Sequence, residues 1–382
     1  MTDLNLYGPI NDFGYGIFTR GLIKGLIELG ESDFYLHSIG GISLEDPEEH
    51  KVMQSFCNRN MWNRSAPSIA IWHEFDLDRF SAKKLIAYPI FETTKFNPKA
   101  LNYLKQMDAI CVLSSWAKSV VIDNIGDTVP VYVVPGASDE VSLTEMEENQ
   151  VVKADAFTFF SMGKFEARKS SVEIIKAYTD QFADCKEDTR LILHCFNPFD
   201  KQFVPRMEAI LVELGLTLAP STLRSSIIAV KGNSIVEIPK TRMTRKEVYQ
   251  LLRASHAGVF PSRAEGWNLP LMEAIKAGIP CIATNYSAHT EYLDSNYPQE
   301  LLLNNLTEEV ANDGVFFHGD RGNWMKPDIA EISAKMSYIY TNYDRVMQEF
   351  DPTEIKEKFT WKNTAKGILK VIKKVNDKDT KR

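Results

Sequence analysis

Two glutamates, Glu265 and Glu273, lie eight positions apart in the stretch PSRAEGWNLPLMEAIKAGIP. The preceding letters, HAGVF, predict a buried strand. Pro270 suits the first helical position, with Asn268 or Leu269 as the cap, so a helix should begin after a short loop. Free N–H groups at the start of such a helix favour an anion such as phosphate. A carboxylate has two acceptor oxygens, which suit paired hydroxyls of a ribose or a pyranose. The stretch therefore predicts a nucleotide-sugar site, with Glu265 on the loop and Glu273 in the first helical turn.

A second stretch, FFSMGKFEARKSS, contains basic residues that could bind the phosphate groups. It places Lys164 and the pair Arg168 and Lys169 directly after a predicted strand and its glycine. A diphosphate leaving group gains negative charge as a glycosidic bond breaks, and fixed cations stabilise that charge without a metal. Both stretches also have plainer interpretations, since glutamates at a helix start stabilise its dipole and loop lysines are commonly solvated. Taken alone, each pattern favours the plainer interpretation.

The amino-terminal part of the chain offers a glycine loop and a histidine. Gly14-Tyr15-Gly16 lies between the first predicted strand and helix, but it lacks the third glycine of a dinucleotide-binding fingerprint, and a plain turn is equally consistent. His73 ends the predicted strand of IAIWHEFD, where a side chain faces the ligand crevice of a doubly wound sheet. A histidine held inside the core is the alternative. Glu92, in FETT, also follows a predicted strand and could face an acceptor.

Composition restricts the class of protein. The chain has 382 residues, of which 44% are hydrophobic and 25% charged, as in a globular protein of two domains. The net charge of −7 argues against a broad surface for nucleic acid or for an anionic membrane, although a local basic cleft could still exist. The five cysteines form no C-x-x-C pair, so we expect reduced thiols in a cytoplasmic protein rather than a zinc site or disulfides. No signal-peptide pattern is evident, and no apolar run reaches the ~20 residues of a membrane span.

Short apolar runs alternate with helical patterns, which favours parallel sheets covered by helices on both faces. The predicted strands are 4–7, 34–37, 68–72, 85–89, 109–113, 129–134, 157–161, 191–195, 227–230, 258–260 and 281–284. The predicted helices are one that begins near residue 14 and those at 98–107, 116–125, 171–182, 206–214, 246–254 and 269–277. Thr244 and Glu247 form a capping-box pattern before one of these helices.

The alternation pauses once, which predicts two domains. Residues 136–156 are acidic and polar with little periodicity, and we interpret them as the connection. The predicted units are an acceptor-side domain at 1–150, a nucleotide-sugar-binding domain at 151–352, and a carboxyl-terminal helix with a basic tail at 353–382. The expected fold class is α/β, with two Rossmann-like doubly wound domains that face each other across a deep cleft.

The string EGWNLPLMEAIKAGIP resembles the E-x7-E signature of retaining glycosyltransferases of family 4 (GT4), which have the GT-B fold. The positions in register are Glu265, Gly266, Leu269, Pro270, Glu273, Ala274, Gly278 and Pro280. FFSMGKFEARKSS is similar to the family's strand, glycine, basic residue and R-K-G segment, and VYVVPGASD resembles the end of its first domain. KFTWKNTAKGILKVI resembles its carboxyl-terminal helix, which usually crosses back to the amino-terminal domain. YPIFETT and DAICVLSSWAKSVV are similar to one GT4 subgroup, so the resemblance covers most of the chain.

The resemblance implies roles for individual residues. Glu265 and His73 would be the catalytic pair at the donor sugar, with Glu265 stabilising oxocarbenium-like charge, while Glu273 would hold the ribose. The residues implied to bind the donor, mainly through its phosphates, are Gly16, Lys164, Arg168 and Lys169. The further donor-binding candidates around the signature are Gly266, Trp267, Asn268 and Leu269.

The sequence departs from the family pattern in three segments. Trp267-Asn268 stands where many relatives have Phe-Gly, Ser170 replaces the glycine of R-K-G, and YSAH at 286–289 lacks the glycines common there. None of these departures removes a charged contact that the resemblance implies. The departures therefore concern the identity of the donor sugar rather than the class of reaction.

The implied reaction transfers a sugar from a nucleoside diphosphate, by default UDP, to an acceptor hydroxyl with retention at the anomeric carbon. The resemblance favours front-face substitution, in which the departing phosphate takes the acceptor's proton, over a double displacement through an enzyme carboxylate. We expect no cofactor and no essential metal, and DLD at 76–78 is better interpreted as a helix start. The alternatives are a non-catalytic nucleotide-sugar-binding protein and another GT-B enzyme such as an epimerase or a phosphorylase.

The expected partners are the nucleotide-sugar donor and an acceptor. The acceptor is a glycan, a lipid, a protein, a small molecule or a modified nucleobase, since it is set by loops that vary widely. No stable nucleic-acid complex is expected. The basic tail, KKVNDKDTKR, permits a weak peripheral membrane contact, although a frayed, charged terminus is the simpler interpretation. The oligomeric state is open.

Overall fold

The computed structural model describes residues 4–58, 63, 65–139, 153–220, 225–314 and 316–377. Within these ranges the strands form a six-stranded sheet, an eight-stranded sheet and a two-stranded hairpin. We call the parts built on the first two sheets the amino-terminal and the carboxyl-terminal domain. The expected α/β class with two doubly wound domains is confirmed.

The strands of the amino-terminal domain are β1 (Leu4–Asn11), β2 (Phe34–Ser43), β3 (Pro67–Ala70), β4 (Lys84–Ala87), β5 (Ala109–Val112) and β6 (Val131–Val133). Those of the larger sheet are β7 (Phe157–Met162), β8 (Thr189–His194), β9 (Thr217–Leu218), β10 (Ser226–Lys231), β11 (Ser234–Pro239), β12 (Ala257–Phe260), β13 (Cys281–Thr284) and β14 (Leu302–Leu303). The hairpin consists of β15 (Leu306–Val310) and β16 (Asn323–Pro327).

The helices up to the site are α1 (Gly14–Glu28), α2 (Pro47–Cys57), α3 (Pro98–Leu104), α4 (Ser115–Ile125), α5 (Ser171–Phe182), α6 (Phe203–Glu213), α7 (Arg245–Ala254) and α8 (Leu269–Lys276). The remaining ones are α9 (Ile329–Thr341), α10 (Tyr343–Glu349), α11 (Thr353–Lys358) and α12 (Trp361–Asp377). In the part of the chain that the structure describes, no helix combines the length and the apolar character that crossing a membrane requires.

The six-stranded sheet is parallel throughout, in the order β2-β1-β3-β4-β5-β6. The order reverses between β1 and β3, so the loops after these two strands open at the same point of the sheet edge. Helix α1, with Gly14 and Gly16 at its start, follows β1, and His73 follows β3. The topology thus brings together two elements that are about 60 positions apart in the sequence.

The eight-stranded sheet has the order β14-β13-β12-β7-β8-β11-β10-β9. Strands β7, β8 and β11 to β14 pair in parallel, while β9 and β10 add an antiparallel edge. The first strand of this domain, β7, lies directly beside β12. The loop after β7 carries Arg168 and Lys169, and the loop after β12 carries Glu265, so the switch in strand order makes these loops neighbours.

The carboxyl-terminal helix α12 crosses back to the amino-terminal domain and packs on α1, as expected. Two glycines of α1, Gly21 and Gly25, lie under its first residue, Trp361. A Cβ added to Gly21 would lie 2.1 Å from the indole of Trp361, and one added to Gly25 would lie 2.1 Å from its carbonyl oxygen. The indole N–H also donates to Asp139 at 2.9 Å. The i, i+4 glycine pair therefore makes the flat strip that admits this helix.

We expect Gly25→Ala to lower the free energy of unfolding by about 1–3 kcal/mol, because the backbone of Trp361 must move to admit a methyl group. Gly14→Ala in the same helix is the matched control, since nothing lies within 4 Å of a Cβ added there. Urea unfolding of both variants measures the difference. Equal losses of stability would show that the glycine strip does not determine how α12 packs.

All predicted strands and helices are present, with ends displaced by a few residues at most sites. The predicted capping box is also confirmed, because Thr244 and Glu247 each bond the other's backbone N–H. The elements that the sequence did not predict are α2, β9, β11, β14, α9, α10 and the hairpin β15–β16. In β11 buried and half-buried residues alternate, a weaker signal than a continuous apolar run. Most of the predicted connection at 136–156 falls at 140–152, outside the described residues.

Candidate active site

The loop after β7, which carries Arg168 and Lys169, meets the loop after β12 at Glu265. Its Oε1 accepts a hydrogen bond from Lys169 Nζ at 2.5 Å, and its Oε2 lies 2.8 Å from Arg168 Nη1. The Arg168 guanidinium also donates to the carbonyl of Ala264 at 2.8 Å. The Glu265 side chain is only 4% exposed, so this ion cluster is shielded from water. Three of the residues predicted from the sequence are therefore in direct contact.

The charges of this cluster determine its protonation. Burial opposes ionisation of Glu265, but Arg168 and Lys169 outweigh it and hold the pKa of this carboxyl well below its usual range. Burial lowers the pKa of Lys169, and the neighbouring Glu265 carboxylate opposes that change. Glu265 consequently stays ionised at any physiological pH.

Glu273 lies one turn later in α8 than predicted. The helix begins at Leu269 and has no acidic residue in its first turn, so Glu273 belongs to the second turn. Its Oε1 accepts from Arg245 Nη1 at 2.8 Å, and Arg245 Nε donates to Tyr249 Oη at 2.8 Å. Burial raises the pKa of Glu273, while Arg245 opposes that change. The sequence analysis did not assign Arg245, which is the first residue of α7.

Asn268 precedes α8 but does not cap it with its side chain, contrary to the sequence analysis. Its Nδ2 donates to His289 Nε2 at 3.0 Å, because His289 Nδ1–H donates to the carbonyl of Thr284 at 2.9 Å and leaves Nε2 as an acceptor. Burial lowers the pKa of His289 to about 4, which keeps the ring neutral. Asn268 Oδ1 is buried and has no hydrogen-bond partner among the described residues. The start of α8 thus presents an acceptor without a donor.

Three residues of the site have a left-handed backbone. Among the described non-glycine residues, positive φ occurs at Ser170 (55°), Asn268 (72°) and Ser287 (57°). This conformation costs a serine roughly 1–2 kcal/mol, whereas asparagine tolerates it better. Ser287 Oγ accepts from the Glu265 backbone N–H at 2.8 Å, and Ser170 directly follows Lys169. All three fall within the segments that depart from the glycines of the family pattern.

His73 lies at the switch point of the amino-terminal sheet. Tyr15 Oη donates to the carbonyl of Ile90 at 2.5 Å, so it accepts from His73 Nδ1, 3.1 Å away. This contact puts the proton on Nδ1 and leaves Nε2 as an acceptor. Burial lowers the pKa of His73 to about 4, so the ring is neutral at physiological pH. Tyr15, which the sequence analysis mentioned only as part of the glycine loop, fixes the tautomer.

Gly16 lies within the first turn of α1, whose start has no side-chain cap. The first hydrogen bond of the helix runs from the Ile17 N–H to the carbonyl of Phe13 at 2.8 Å, so the Gly16 N–H has no partner inside the helix. A Cβ at position 16 would lie 2.2 Å from the carbonyl oxygen of Asn11. Glycine is therefore required here by the close contact with the end of β1, independently of any ligand.

Lys164 lies at the rim of the site. Its side chain is 40% exposed, and Nζ is 2.7 Å from Glu166 Oε1. The ammonium group also lies over the rings of Phe199 and Phe316, at 5.6 and 5.2 Å from their centroids. Lys164 is thus the more solvated of the two predicted phosphate-binding lysines.

The other signature residues contribute mainly packing. A Cβ on Gly266 would lie 2.5 Å from Ile90 Cγ2 of the amino-terminal domain, and Leu269 is the half-buried first residue of α8. The Trp267 side chain is buried between Tyr292 and Phe359, and its indole N–H donates to the carbonyl of Ala137 at 3.1 Å. Trp267 therefore contributes packing between the signature loop and the segment at Ala137.

The hairpin β15–β16 joins the two domains beside this cluster. The Trp324 indole N–H donates to the carbonyl of Glu92 at 2.9 Å, and the Asn323 N–H donates to Thr94 Oγ1 at 2.8 Å. The Glu92 carboxylate in turn lies 3.8 Å from Arg168 Nη2. Glu92 of the amino-terminal domain therefore shares Arg168 with Glu265 of the carboxyl-terminal domain, an arrangement that local sequence patterns do not indicate.

The residue after His73 is a buried carboxyl group. Glu74 is 4% exposed, and its Oε1 lies 3.6 Å from Arg321 of the hairpin connection. Burial raises the pKa of Glu74 to about 7, although Arg321 opposes that change. The pKa of Glu74 is higher in the folded protein than in the unfolded chain, so protonated Glu74 stabilises the fold. This stabilisation is complete below the pKa of the unfolded chain and is lost as the pH rises through about 7.

As the pH rises from about 5 to about 8, the wild type should lose stability at Glu74, whereas the amide of Glu74→Gln cannot ionise. We therefore expect the unfolding free energy of Glu74→Gln, relative to that of the wild type, to increase by about 2–3 kcal/mol over this range. Urea unfolding at both pH values measures it. Glu213→Gln, at an exposed position of α6, is the control and should change little with pH. A constant difference between Glu74→Gln and the wild type at all pH values would contradict the raised pKa.

The loops of the two domains close over Glu265. The pocket beside Lys169, which includes Gly163 and Ser262 among its lining residues, leaves no room for a water molecule. An open cavity of about 380 Å³ lies in the amino-terminal domain near His37 and Asp76, and no predicted site residue lines it. Among the described residues no group of three or more His, Cys, Asp or Glu could hold a metal ion.

A family model described as "Family 4 Glycosyltransferase in conflict systems" matches residues 112–368. This span is more than half of the chain and includes Lys169, Glu265 and Glu273. The chain belongs to this GT4 family. It is therefore a glycosyltransferase, and the resemblance found in the sequence is confirmed. No curated protein sequence matches the chain.

Solved structures that resemble this GT4 protein share its GT-B fold at low sequence identity. A sucrose-phosphate synthase from Thermosynechococcus elongatus matches with a TM-score of 0.65 and 13% identity, over 99% of this chain and 100% of that one. A UDP-forming α,α-trehalose-phosphate synthase from Burkholderia xenovorans, in complex with glucose-6-phosphate, matches with a TM-score of 0.64 and 10% identity. The match covers 97% of this chain and 100% of that one. The Anabaena protein Alr3699/HepE, in complex with UDP-glucose, matches with a TM-score of 0.62 and 12% identity. The match covers 98% of this chain and 100% of that one.

Proposed function

We propose that this GT4 protein is a retaining transferase that moves a sugar from a nucleoside diphosphate to an acceptor hydroxyl by metal-independent front-face substitution. The observation that carries the proposal is the buried contact of Glu265 with Lys169 and Arg168, where the loops after β7 and β12 meet. It combines a permanently ionised carboxylate with cations in a space shielded from water. Such an arrangement can stabilise a cationic sugar and an anionic leaving group at the same time.

The proposed donor is a UDP-sugar. Structures with the same fold include one with bound UDP-glucose and a UDP-forming synthase, which supports this choice of nucleotide. Lys169 and Lys164 would bind the diphosphate, with the free N–H groups at the start of α8. Glu273, oriented by Arg245, would hold the ribose. The unpartnered Oδ1 of Asn268 would accept a hydrogen bond from a sugar hydroxyl, which would satisfy this buried atom.

Each step of the proposed reaction balances without a cofactor. The bond from the anomeric carbon to the diphosphate oxygen breaks, and Lys169 stabilises the charge that the diphosphate gains. Glu265 stabilises the oxocarbenium-like sugar. The acceptor hydroxyl attacks from the same face and gives its proton to the departing phosphate oxygen. His73, neutral and protonated on Nδ1, would accept a hydrogen bond from a sugar hydroxyl at Nε2 and hold the ring in place.

Donor entry requires the two domains to separate. Glu265 is buried, Gly266 touches Ile90, and the cavity at Lys169 is smaller than a nucleotide sugar requires. Closure after binding would exclude water, which otherwise competes with the acceptor. We propose a cytoplasmic enzyme whose acceptor is chosen by loops of the amino-terminal domain.

A panel of UDP-, GDP-, ADP- and TDP-sugars tests this proposal. Binding is measured by calorimetry, and slow hydrolysis by nucleotide release, both with and without EDTA. Binding and hydrolysis of one donor class in EDTA, with retention shown by NMR of the first sugar product, supports the proposal. Inhibition by EDTA that added Mg²⁺ restores would overturn metal independence, and an inverted product would overturn front-face substitution.

The same panel separates the alternatives. A donor that binds without turnover, in the wild type and with every acceptor supplied, would favour a non-catalytic binding protein. A donor converted to its epimer would favour the epimerase. Absence of binding for all sugar nucleotides would overturn the assignment of Glu265 and Glu273 to a donor site.

A further inference from the structure

Helix α12 carries lysines along one side and no acidic residue between its first residue and position 376. We call these lysines the lysine face. They are Lys362, Lys366, Lys370, Lys373 and Lys374. From Lys362 to Lys374 the helix rises by about 18 Å. At about 100° per residue, the lysines cover roughly 120° of its circumference. They therefore form a straight, one-sided row of positive charge.

The opposite side of α12 is buried in the protein. Its buried residues are Trp361, Thr364, Ala365, Ile368, Val371, Ile372 and Val375, several of them facing α1. The five lysines are exposed, and none forms an ion pair with another described residue. Lys374 alone has a ring contact, with its ammonium 4.8 Å from the centroid of Tyr132. The apolar side is thus used by the fold, and the charged side is left to solvent.

This row contrasts with the rest of the protein. The whole chain carries −7, so the remainder without these five lysines carries −12. A local positive face on an acidic protein orients it toward an anionic surface while the remaining charge is repelled. The charges also repel one another, which is a cost that a purely structural helix would avoid by mixing acidic residues into the same side.

We propose that the lysine face docks the protein on an anionic lipid surface. Basic clusters of four to eight lysines on an amphipathic helix are typical of binding to acidic lipid headgroups. The row contains no arginine, which recognises phosphates of nucleic acid in a bidentate manner, and no exposed aromatic residue that could stack on a base. Because the apolar side of α12 is buried, the contact is electrostatic and involves no insertion. It therefore depends strongly on salt.

The test is co-sedimentation of the full chain with vesicles. One set contains phosphatidylcholine only, and the other contains about one third phosphatidylglycerol, each at about 0.05 M and about 0.5 M salt. We expect binding to the acidic vesicles at low salt and release at high salt. Lys366→Gln/Lys370→Gln should weaken that binding about 25-fold, since each lysine contributes about fivefold. Lys105→Gln/Lys201→Gln, at two other exposed positions, removes the same charge and should weaken it much less.

Several outcomes would overturn the proposal. These are equal binding to neutral vesicles, no binding to acidic vesicles at low salt, or equal losses in the two double variants. Fluorescence anisotropy with a single-stranded and a duplex oligonucleotide forms the other arm. If DNA binds and Lys366→Gln/Lys370→Gln weakens that binding, while vesicles do not bind, the lysine face would be assigned to a polynucleotide instead. Donor hydrolysis by Lys366→Gln/Lys370→Gln should equal that of the wild type, so failure of this proposal is distinguishable from failure of the proposed transferase.

Discussion

Donor hydrolysis by Glu265→Gln should be about 10³-fold slower than that of the wild type, while the affinity for the donor changes little. The amide keeps the shape of the side chain and can still accept one hydrogen bond, but it has no charge with which to stabilise an oxocarbenium-like sugar. Binding of the ground state depends mainly on the diphosphate and the nucleoside, which Glu265 does not hold in the proposal. Single-turnover kinetics together with calorimetry separate the two quantities.

The same substitution leaves two buried cations without their carboxylate. Removal of one partner of a buried ion pair typically costs about 3–5 kcal/mol, so Glu265→Gln should also unfold at a lower denaturant concentration. Activity is therefore compared at a temperature well below unfolding. Glu237→Gln, which breaks the half-buried pair with Arg190 in the same sheet, is the control for a general loss of stability. If Glu237→Gln slows hydrolysis as much as Glu265→Gln, or if Glu265→Gln retains wild-type turnover, the carboxylate has no special role.

Local patterns predicted the elements and the loops of this site, because both follow from short-range physics. Continuous apolar runs identified the buried parallel strands, and the strand–loop–helix context placed Glu265 and Lys169 at carboxyl ends of strands. That these two residues touch follows from β7 and β12 being neighbours, which no spacing in the sequence states. The partners Arg245 for Glu273, Tyr15 for His73 and Arg168 for Glu92 come from such long-range packing.

The left-handed residues show what a sequence pattern can and cannot say. Ser170, Asn268 and Ser287 lie in segments where the family pattern has glycine, and each has positive φ. Asn is among the residues that tolerate this conformation, whereas serine gives no such signal by itself. Sequence analysis could thus identify the departures but not their conformation. The capping role expected for Asn268 was wrong for the same reason, since a left-handed residue directs its side chain to His289 instead.

Lys169→Gln should lower kcat/KM for the donor by about 10²–10³-fold, mainly through loss of charge stabilisation at the departing diphosphate. Its position explains why it should matter more than its neighbours. The Arg168 guanidinium is engaged by the Ala264 carbonyl and by the carboxylates of Glu166 and Glu265. The Lys169 ammonium has three donors and only Glu265 as a partner among the described residues, so it can bind phosphate oxygens without losing that contact.

Lys164→Gln is the matched comparison, because it removes the same charge from the rim of the same loop. Lys164 is 40% exposed and its charge is screened by solvent, whereas the Lys169 side chain is 13% exposed, so we expect the effect of Lys164→Gln to be at least tenfold smaller. The double variant Glu265→Gln/Lys169→Gln should lose less than the product of the two single effects, since each charge compensates the other in the free protein. An effect of Lys164→Gln larger than that of Lys169→Gln would move the diphosphate to the rim, and strictly multiplicative effects would mean that Lys169 and Glu265 act on the donor independently.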